Sequence, residues 1–504
     1  MPNDASQPNP RLSTELIIHI LRFTDPIAIL AVRKCCREFY AATQVREVWL
    51  DALHGVCETH GVFKPTYPFE KMTRFELEHA ATSPYRFVRS IEHREDNEES
   101  LIPYQSRVLQ PRYDPTPGST HFPVTLHLVP GGRFLFTGGI DDFCLWDLGF
   151  NSTSRTSTFM KHLPIARMES SVLQDIGPSA DGKAVILATK SPSLSDDHKV
   201  KIYRVYPSNP EPGFELLGEL DMGGLGQQLD PIKTVQISGE AVLIWSDWTF
   251  VIWNWQEERG CSWEISVDLG RGSKIYTCDR SVIASDASGR RLLYVWDIPQ
   301  TREIRRSNQL LELGDIDETE NQPKSVIPAP GYANNQIIAI SGTPNWQRRG
   351  PAGEHLCLML DEGSVKNLQL YSIRQCGTGD PFLPASCLVE AGRRPFAYND
   401  MPYQFASGMT ALHFCADRLL FCSSSERNSL VATTMAVPTR ASQDDVPATS
   451  VDLTSIEMVL TNVSDQGIVV CPMSGRVVYY SSHALHFPVN DYVLPPLQDP
   501  ERPL

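Results

Sequence analysis

LSTELIIHILRFTDPIAILAVRKCCREFYAATQVREVWLDAL, Leu12 to Leu53, is the stretch on which the reading of this chain turns. Ser13 is placed to cap a helix, and Glu15 falls in its first turn, where a negative charge opposes the helix dipole favourably. Leu16, Ile17, Ile20 and Leu21 recur at the spacing of one helical face. Asp25-Pro26 is a second start signal, because Asp accepts from the first free amides and Pro fits the first helical position. Ile29, Leu30, Val32, Cys35, Cys36, Phe39 and Tyr40 follow, and Val45, Val48 and Trp49 close the segment. The pattern predicts three short helices.

A unit of about 45 residues buries too little of its surface to be stable with large apolar side chains left over. Those side chains must meet another surface. They either dock on the rest of the chain as a helical cap or offer a helix interface to a partner.

The same residues carry a resemblance. Leu12, Glu15-Leu16, Ile20-Leu21, Asp25-Pro26, Ile29-Leu30, Cys35-Cys36-Arg37, Phe39 and Val48-Trp49 match the F-box pattern in order and spacing. Ser13 stands where that family has Pro, and Thr24 where it has Leu. The resemblance implies binding to a Skp-type adaptor, and through it to a cullin–RING (SCF-type) E3 ubiquitin ligase. On this mapping the adaptor-binding residues include Leu12, Leu16, Ile20, Leu21, Ile29, Leu30, Cys35, Phe39 and Trp49.

Residues 55–118 read as a helical and loop connector. Phe69 to Ala80 is helix-like, and Ser83-Pro84 starts a second short helix with Tyr85, Phe87, Val88 and Ile91 as its apolar members. The run EHREDNEES (Glu92 to Ser100) reads as a solvated loop. The stretch from Glu76 to Ala81, followed by Pro84, is similar to linkers of fungal-type F-box proteins.

From about Val124 the pattern changes from helical to alternating. VTLHLVPGGRFLFTGGIDDFCLWDLG reads strand, Pro130-Gly131-Gly132 turn, strand, a Gly and Asp turn, and a strand ending Trp146-Asp147. The cadence returns at 175–206, 232–256, 275–298, 334–373, 409–437 and 456–482. Repeated short antiparallel strands without intervening helices indicate radial closure. Trp146-Asp147 and Trp296-Asp297 make this part resemble a WD-repeat propeller, although the opening Gly-His dipeptide of that repeat is missing. The fold class expected is therefore α+β and multidomain: a three-helix F-box module (11–54), a helical connector (55–118) and an all-β propeller of about seven blades (119–490). Ring closure is expected to join the region after His483 to a strand near Ser106 to Val108. Residues 1–10 and 491–504 are expected to be disordered ends, and the stretches 191–197, 307–325 and 380–404 surface loops.

Composition bounds the function. The chain has 504 residues, 41% hydrophobic and 21% charged, as a soluble globular protein would. No apolar run is long enough to span a bilayer, and the polar, Pro-rich start does not read as a signal peptide. The net charge of −15 argues against nucleic acid as a main partner. The 12 cysteines show no metal-ligand spacing. Reduced thiols and a cytoplasmic or nuclear location are expected, and Asn151 and Asn462 then head sequons without consequence.

No Ser-His-Asp set stands out, no G-x-S-x-G elbow occurs, and Gly223-Gly224-Leu225-Gly226 lacks the strand and helix of a phosphate cradle. His121, His127, His355, His413 and His486 read as packed or surface residues. Trp245, Trp248, Trp253 and Trp255 read largely as core. Four arginine pairs, at 290–291, 305–306, 348–349 and 393–394, read as solvated turn charges. The expectation is a chain that is not an enzyme and needs no cofactor or metal: a substrate-recruiting ligase subunit, with a propeller scaffold outside any ligase as the alternative.

Overall fold

The structure is a computed structural model. It describes residues 12–92 and 100–109 without a break, and from 125 to 494 the strands with most of their turns. Residues 1–11, 93–99, 110–124, 151–158, 192–198, 223–231, 313–321, 376–385, 397–412, 437–452 and 495–504, with shorter gaps, lie outside the description. Residues 1–10 and 495–504, expected to be disordered, fall there, as does the middle of the charged run after Glu92; Asp491, Tyr492 and Val493, also expected in the disordered tail, are instead buried, because Asp491 ends a strand and the next two side chains pack in the core.

Four helices occupy the opening stretch rather than three: α1 (Thr14–Leu21), α2 (Pro26–Val32), α3 (Arg37–Ala42) and α4 (Arg46–Thr59). Both sequence caps are made. The Leu16 amide donates to Ser13 Oγ at 3.4 Å, and the Ile27 amide to Asp25 Oδ1 at 2.7 Å. The fifth helix, α5 (Arg74–Glu92), replaces the two expected in the connector. Its start is set by a capping box: the Thr73 amide donates to Glu76 Oε2 at 2.7 Å and the Glu76 amide to Thr73 Oγ1 at 3.3 Å. Pro84 lies inside it without ending it. The Thr82 and Ser83 hydroxyls donate to the carbonyls of Glu78 and His79 in the preceding turn, at 2.8 and 2.7 Å.

Among the described residues there are seven sheets of four or five strands and one two-stranded hairpin. In chain order we number them sheet 1 (125–169), sheet 2 (172–221), sheet 3 (234–264), sheet 4 (275–328), sheet 5 (336–396) and sheet 6 (413–459), each built on four antiparallel strands of its own stretch, to which Arg302–Glu303 adds a fifth in sheet 3 and Ser100–Leu101 a parallel fifth in sheet 6. Sheet 7 is composite: three strands between 463 and 491 are joined by Gln105–Leu109 and, parallel to it at the edge, Phe159–Met160. The pairing of Gln105–Leu109 with Phe487–Asp491, Ser106 opposite Asn490 and Val108 opposite Pro488, is the closure expected from sequence. The result is a β-propeller of six continuous sheets and a seventh shared between the two ends of the body.

Three expectations are corrected. The unit expected at 456–482 is split, because Leu453–Val459 finishes sheet 6 while Val463–Cys471 opens sheet 7. Ser386–Phe396, inside an expected loop, is the fourth strand of sheet 5. Arg305-Arg306 and Arg393-Arg394 lie in strands rather than turns. The middle strands also bury both faces rather than one: Phe134–Gly138, Ser281–Ser285 and Arg476–Ser481 are buried throughout. A strand in the middle of a sheet packed between two others has no solvent side.

Trp146 and Trp296, the WD-like positions, are buried in this packing, and the Trp146 indole donates to Thr137 Oγ1 at 3.0 Å. Trp245, Trp253 and Trp255 are core, whereas Trp248 is exposed.

Candidate partner interface at the N-terminal helices

The helices split their apolar residues between two faces. On α1, Ile17 and Leu21 point inward, while Leu16 and Ile20, with Leu12 one turn ahead, form an exposed i, i+4 row at 52–54% exposure. Phe23 at 81%, Ile27 at 42% and Tyr40 at 55% add to it. Six of the thirteen exposed large apolar side chains among the described residues thus fall between positions 12 and 40. Such concentration marks a contact surface, where scattered exposed apolar residues would not.

The nine residues expected to touch an adaptor fall into three groups. Leu12, Leu16, Ile20 and Cys35 are exposed and available. Leu30 and Phe39 are half-buried against the core. Leu21, Ile29 and Trp49 are buried within the chain and correct the expectation: they hold the helices together and offer no surface. Each lies on the inward face of its helix, a distinction that apolar character alone does not make. Phe23, Ile27 and Tyr40 are exposed as well but were not among the residues expected; Phe23 and Ile27 flank the Asp25-Pro26 corner between α1 and α2.

What lies beneath this surface fixes it. The Trp49 indole donates to the Thr43 carbonyl at 2.8 Å, and the Arg33 guanidinium sits 5.3 Å from the Trp49 ring. Arg33 also reaches α5, donating from both terminal nitrogens to the two Glu78 oxygens at 2.8 Å each. The Tyr85 hydroxyl donates to Asp25 Oδ2 at 2.7 Å, tying the start of α2 to the same helix. One hydrophobic core contains Ile17, Leu21 and Ile29 of the small helices, Leu77 and Phe87 of α5, and Leu420, Met458 and Tyr479 of sheets 6 and 7.

The segment between α4 and α5 runs over one end of the propeller. The Phe63 amide donates to the Pro130 carbonyl at 3.1 Å, Lys64 Nζ to the Asp181 carbonyl at 3.3 Å, and Gln347 Nε2 to the His60 carbonyl at 3.0 Å. Cys415 Sγ donates to the Pro84 carbonyl at 3.5 Å, and Arg418 pairs with Glu92 at 3.0 Å. Pro130, Asp181, Gln347 and Cys415 each lie at or beside the connection between the first two strands of a sheet. The connector and α5 therefore lie against one end of sheets 1, 2, 5 and 6. His60, under this cover, has its pKa lowered to about 4 because burial disfavours the charged ring.

Among the described residues no group of three His, Cys, Asp or Glu is placed to hold a metal ion. No helix among them is long and apolar enough to cross a membrane.

A model of the F-box domain matches residues 10–51. No curated protein matches the chain. A chain of a solved mitotic checkpoint complex is similar at 11% identity and a TM-score of 0.40, covering 79% of this chain and 94% of its own. Hsv2 of Kluyvelomyces marxianus is similar at 9% identity and a TM-score of 0.36, covering 74% of this chain and 97% of its own. At these values the likenesses add nothing to the topology already described. Residues 10–51 are an F-box domain, and the body to which it is joined is a β-propeller.

Proposed function

We propose that this chain is a substrate-recruiting subunit of an SCF-type cullin–RING ubiquitin ligase, acting in the cytoplasm or nucleus. The observation that carries the reading is the exposed row Leu12, Leu16 and Ile20 on a helix whose opposite face is locked into the chain's own core. A Skp-type adaptor is the partner that an F-box domain implies. The propeller holds the target protein, and the chain does no covalent chemistry itself. It acts by proximity: a tethered target meets the ubiquitin-loading enzyme at high effective concentration. The connector occupies part of one end of the ring, and the opposite end and the outer edges are left for the target.

The test is calorimetric titration of a purified Skp-type adaptor into the full chain and into Leu12→Ala/Leu16→Ala/Ile20→Ala. Truncating central apolar contacts costs more than ~1 kcal/mol each, so the triple variant is expected to bind at least about 100-fold more weakly. Unchanged affinity would contradict the mapping. Absence of any adaptor binding by the native chain would favour a propeller scaffold that works outside a ligase.

A further inference from the structure

Three sheets take a short extra strand on their outer edge: Arg302–Glu303 on sheet 3, Ser100–Leu101 on sheet 6 and Phe159–Met160 on sheet 7, each through two residues. The outer strand of sheet 2, Glu215–Asp221, is seven residues long, and among the described residues no strand pairs with its outer side. Such an edge presents a row of backbone N–H and C=O groups that an added strand satisfies.

The strand is held firmly from within. It pairs with Lys199–Val205 at six positions, and Leu220 belongs to the core between sheets 2 and 3. A Cβ at Gly218 would lie 3.1 Å from the Trp253 ring, so the glycine lets the strand close onto sheet 3. Leu217 is the extra residue of a bulge, between Leu216 opposite Tyr203 and Gly218 opposite Ile202. It lines a cavity of about 230 Å³ together with Ile186 and Tyr206. That is below the ~300 Å³ at which small-molecule pockets begin, and it suits a side chain of a peptide.

Charge selects the occupant. Glu215, Glu219 and Asp221 pair across the sheet with Arg204, Lys201 and Lys199. In each pair the acid is the more exposed member: 57, 39 and 47% against 34, 31 and 35%. The acids stand on the outermost strand, so an added strand would lie beside them and not beside the bases. Glu219 and Asp221 are two residues apart and share one face of the sheet. A second copy of this strand would bring another row of acids to the edge, and like charges opposite each other are destabilising. A strand with basic residues at alternate positions gains opposite-charge pairs instead.

We propose that the outer edge of Glu215–Asp221 accepts an extended segment of a partner protein as a further strand of sheet 2. Lys or Arg side chains of that segment lie against Glu219 and Asp221, and an apolar side chain enters the cavity beside Leu217. The surface is separate from the exposed row on α1 and works without the adaptor.

The test is calorimetric titration of the full chain with the peptide KLKVKL, blocked at both ends. KLKVKL is expected to bind and ELEVEL to fail. Glu219→Gln/Asp221→Asn should weaken KLKVKL about tenfold, the loss of two cross-strand charge pairs. Only alternate amides of an added strand face its neighbour. N-methylation of one alternate set of KLKVKL amides should therefore abolish binding, and N-methylation of the other set should leave it. Hydrogen exchange should slow in residues 215–221 when KLKVKL is bound. No binding of KLKVKL, equal binding of both methylated forms, or protection only outside sheet 2 overturns the proposal. No adaptor enters these measurements, so their failure leaves the ligase reading untouched.

Discussion

Arg33, at the end of α2, and Glu78, on α5, face each other through two parallel hydrogen bonds of 2.8 Å. Both side chains are about one-fifth exposed, and Arg74 meets the same carboxylate at 2.8 Å. The F-box helices are thus fastened to the connector by a paired polar contact as well as by the shared core. Replacing Glu78 by Gln is expected to cost ~1–2 kcal/mol in urea unfolding, after allowance for partial exposure. Arg33→Lys, which keeps charge but loses the fork, should be similarly damaging.

The two faces of the opening helices should separate by experiment. Leu16→Asp is expected to abolish adaptor binding and leave the melting temperature nearly unchanged, since Leu16 is half exposed. Ile29→Ala, at a fully buried position, should instead lower stability by ~2–5 kcal/mol. Thermal unfolding beside binding calorimetry checks both.

Closure of the ring depends on Asp491. It is buried between Arg476, whose Nε donates to it at 2.6 Å, and Arg107, at 3.4 Å. Burial first, and then the neighbouring Arg476, lowers the Arg107 pKa to about 10, with Asp491 opposing both; the group stays charged at neutral pH. Asp491→Asn would leave two buried guanidinium groups without their counter-charge, at an expected cost of ~3–5 kcal/mol. A chain lacking residues 1–109 should fail to give one cooperative unfolding transition, because the strand that joins the two ends of the body in sheet 7 is missing.

Acid should loosen the fold before it reaches the carboxylates. Burial lowers His60, His127 and His413 to about 4 from 6.5. His79, held at 2.9 Å from Arg86, is lowered to about 3 by burial and that cation. In the unfolded chain these rings take up protons below pH ~6.5, while in the folded chain they do not until about pH 4. Stability is therefore full above ~6.5 and falls as pH drops through this window, by up to ~3 kcal/mol per ring. Urea midpoints measured from pH 7.5 down to 4.5 should decline steadily; a flat profile would contradict the burial of these rings.

Much of this was legible in the residues. The caps at Ser13 and Asp25, the F-box and the closing strand near Val108 follow from local chemistry and from the need of a ring to end on itself. The inward assignment of Leu21, Ile29 and Trp49 was not legible. It depends on α5 and on sheets 6 and 7, which lie up to several hundred positions away in the chain. Pro84 misled because Ser83-Pro84 has the form of a helix start, whereas α5 runs through it from Arg74 to Glu92. The strand at Ser386–Phe396 was hidden by flanking Pro and Gly, and the fourth strand of sheet 6 by its resemblance to the start of a new repeat.

The most direct measurement is hydrogen exchange of the full chain with and without a purified Skp-type adaptor. Slowed exchange in residues 12–42, with the propeller strands unchanged, is the predicted result. Adaptor-dependent protection confined to the propeller, or none anywhere, would contradict the assignment of the exposed helical row as the docking surface.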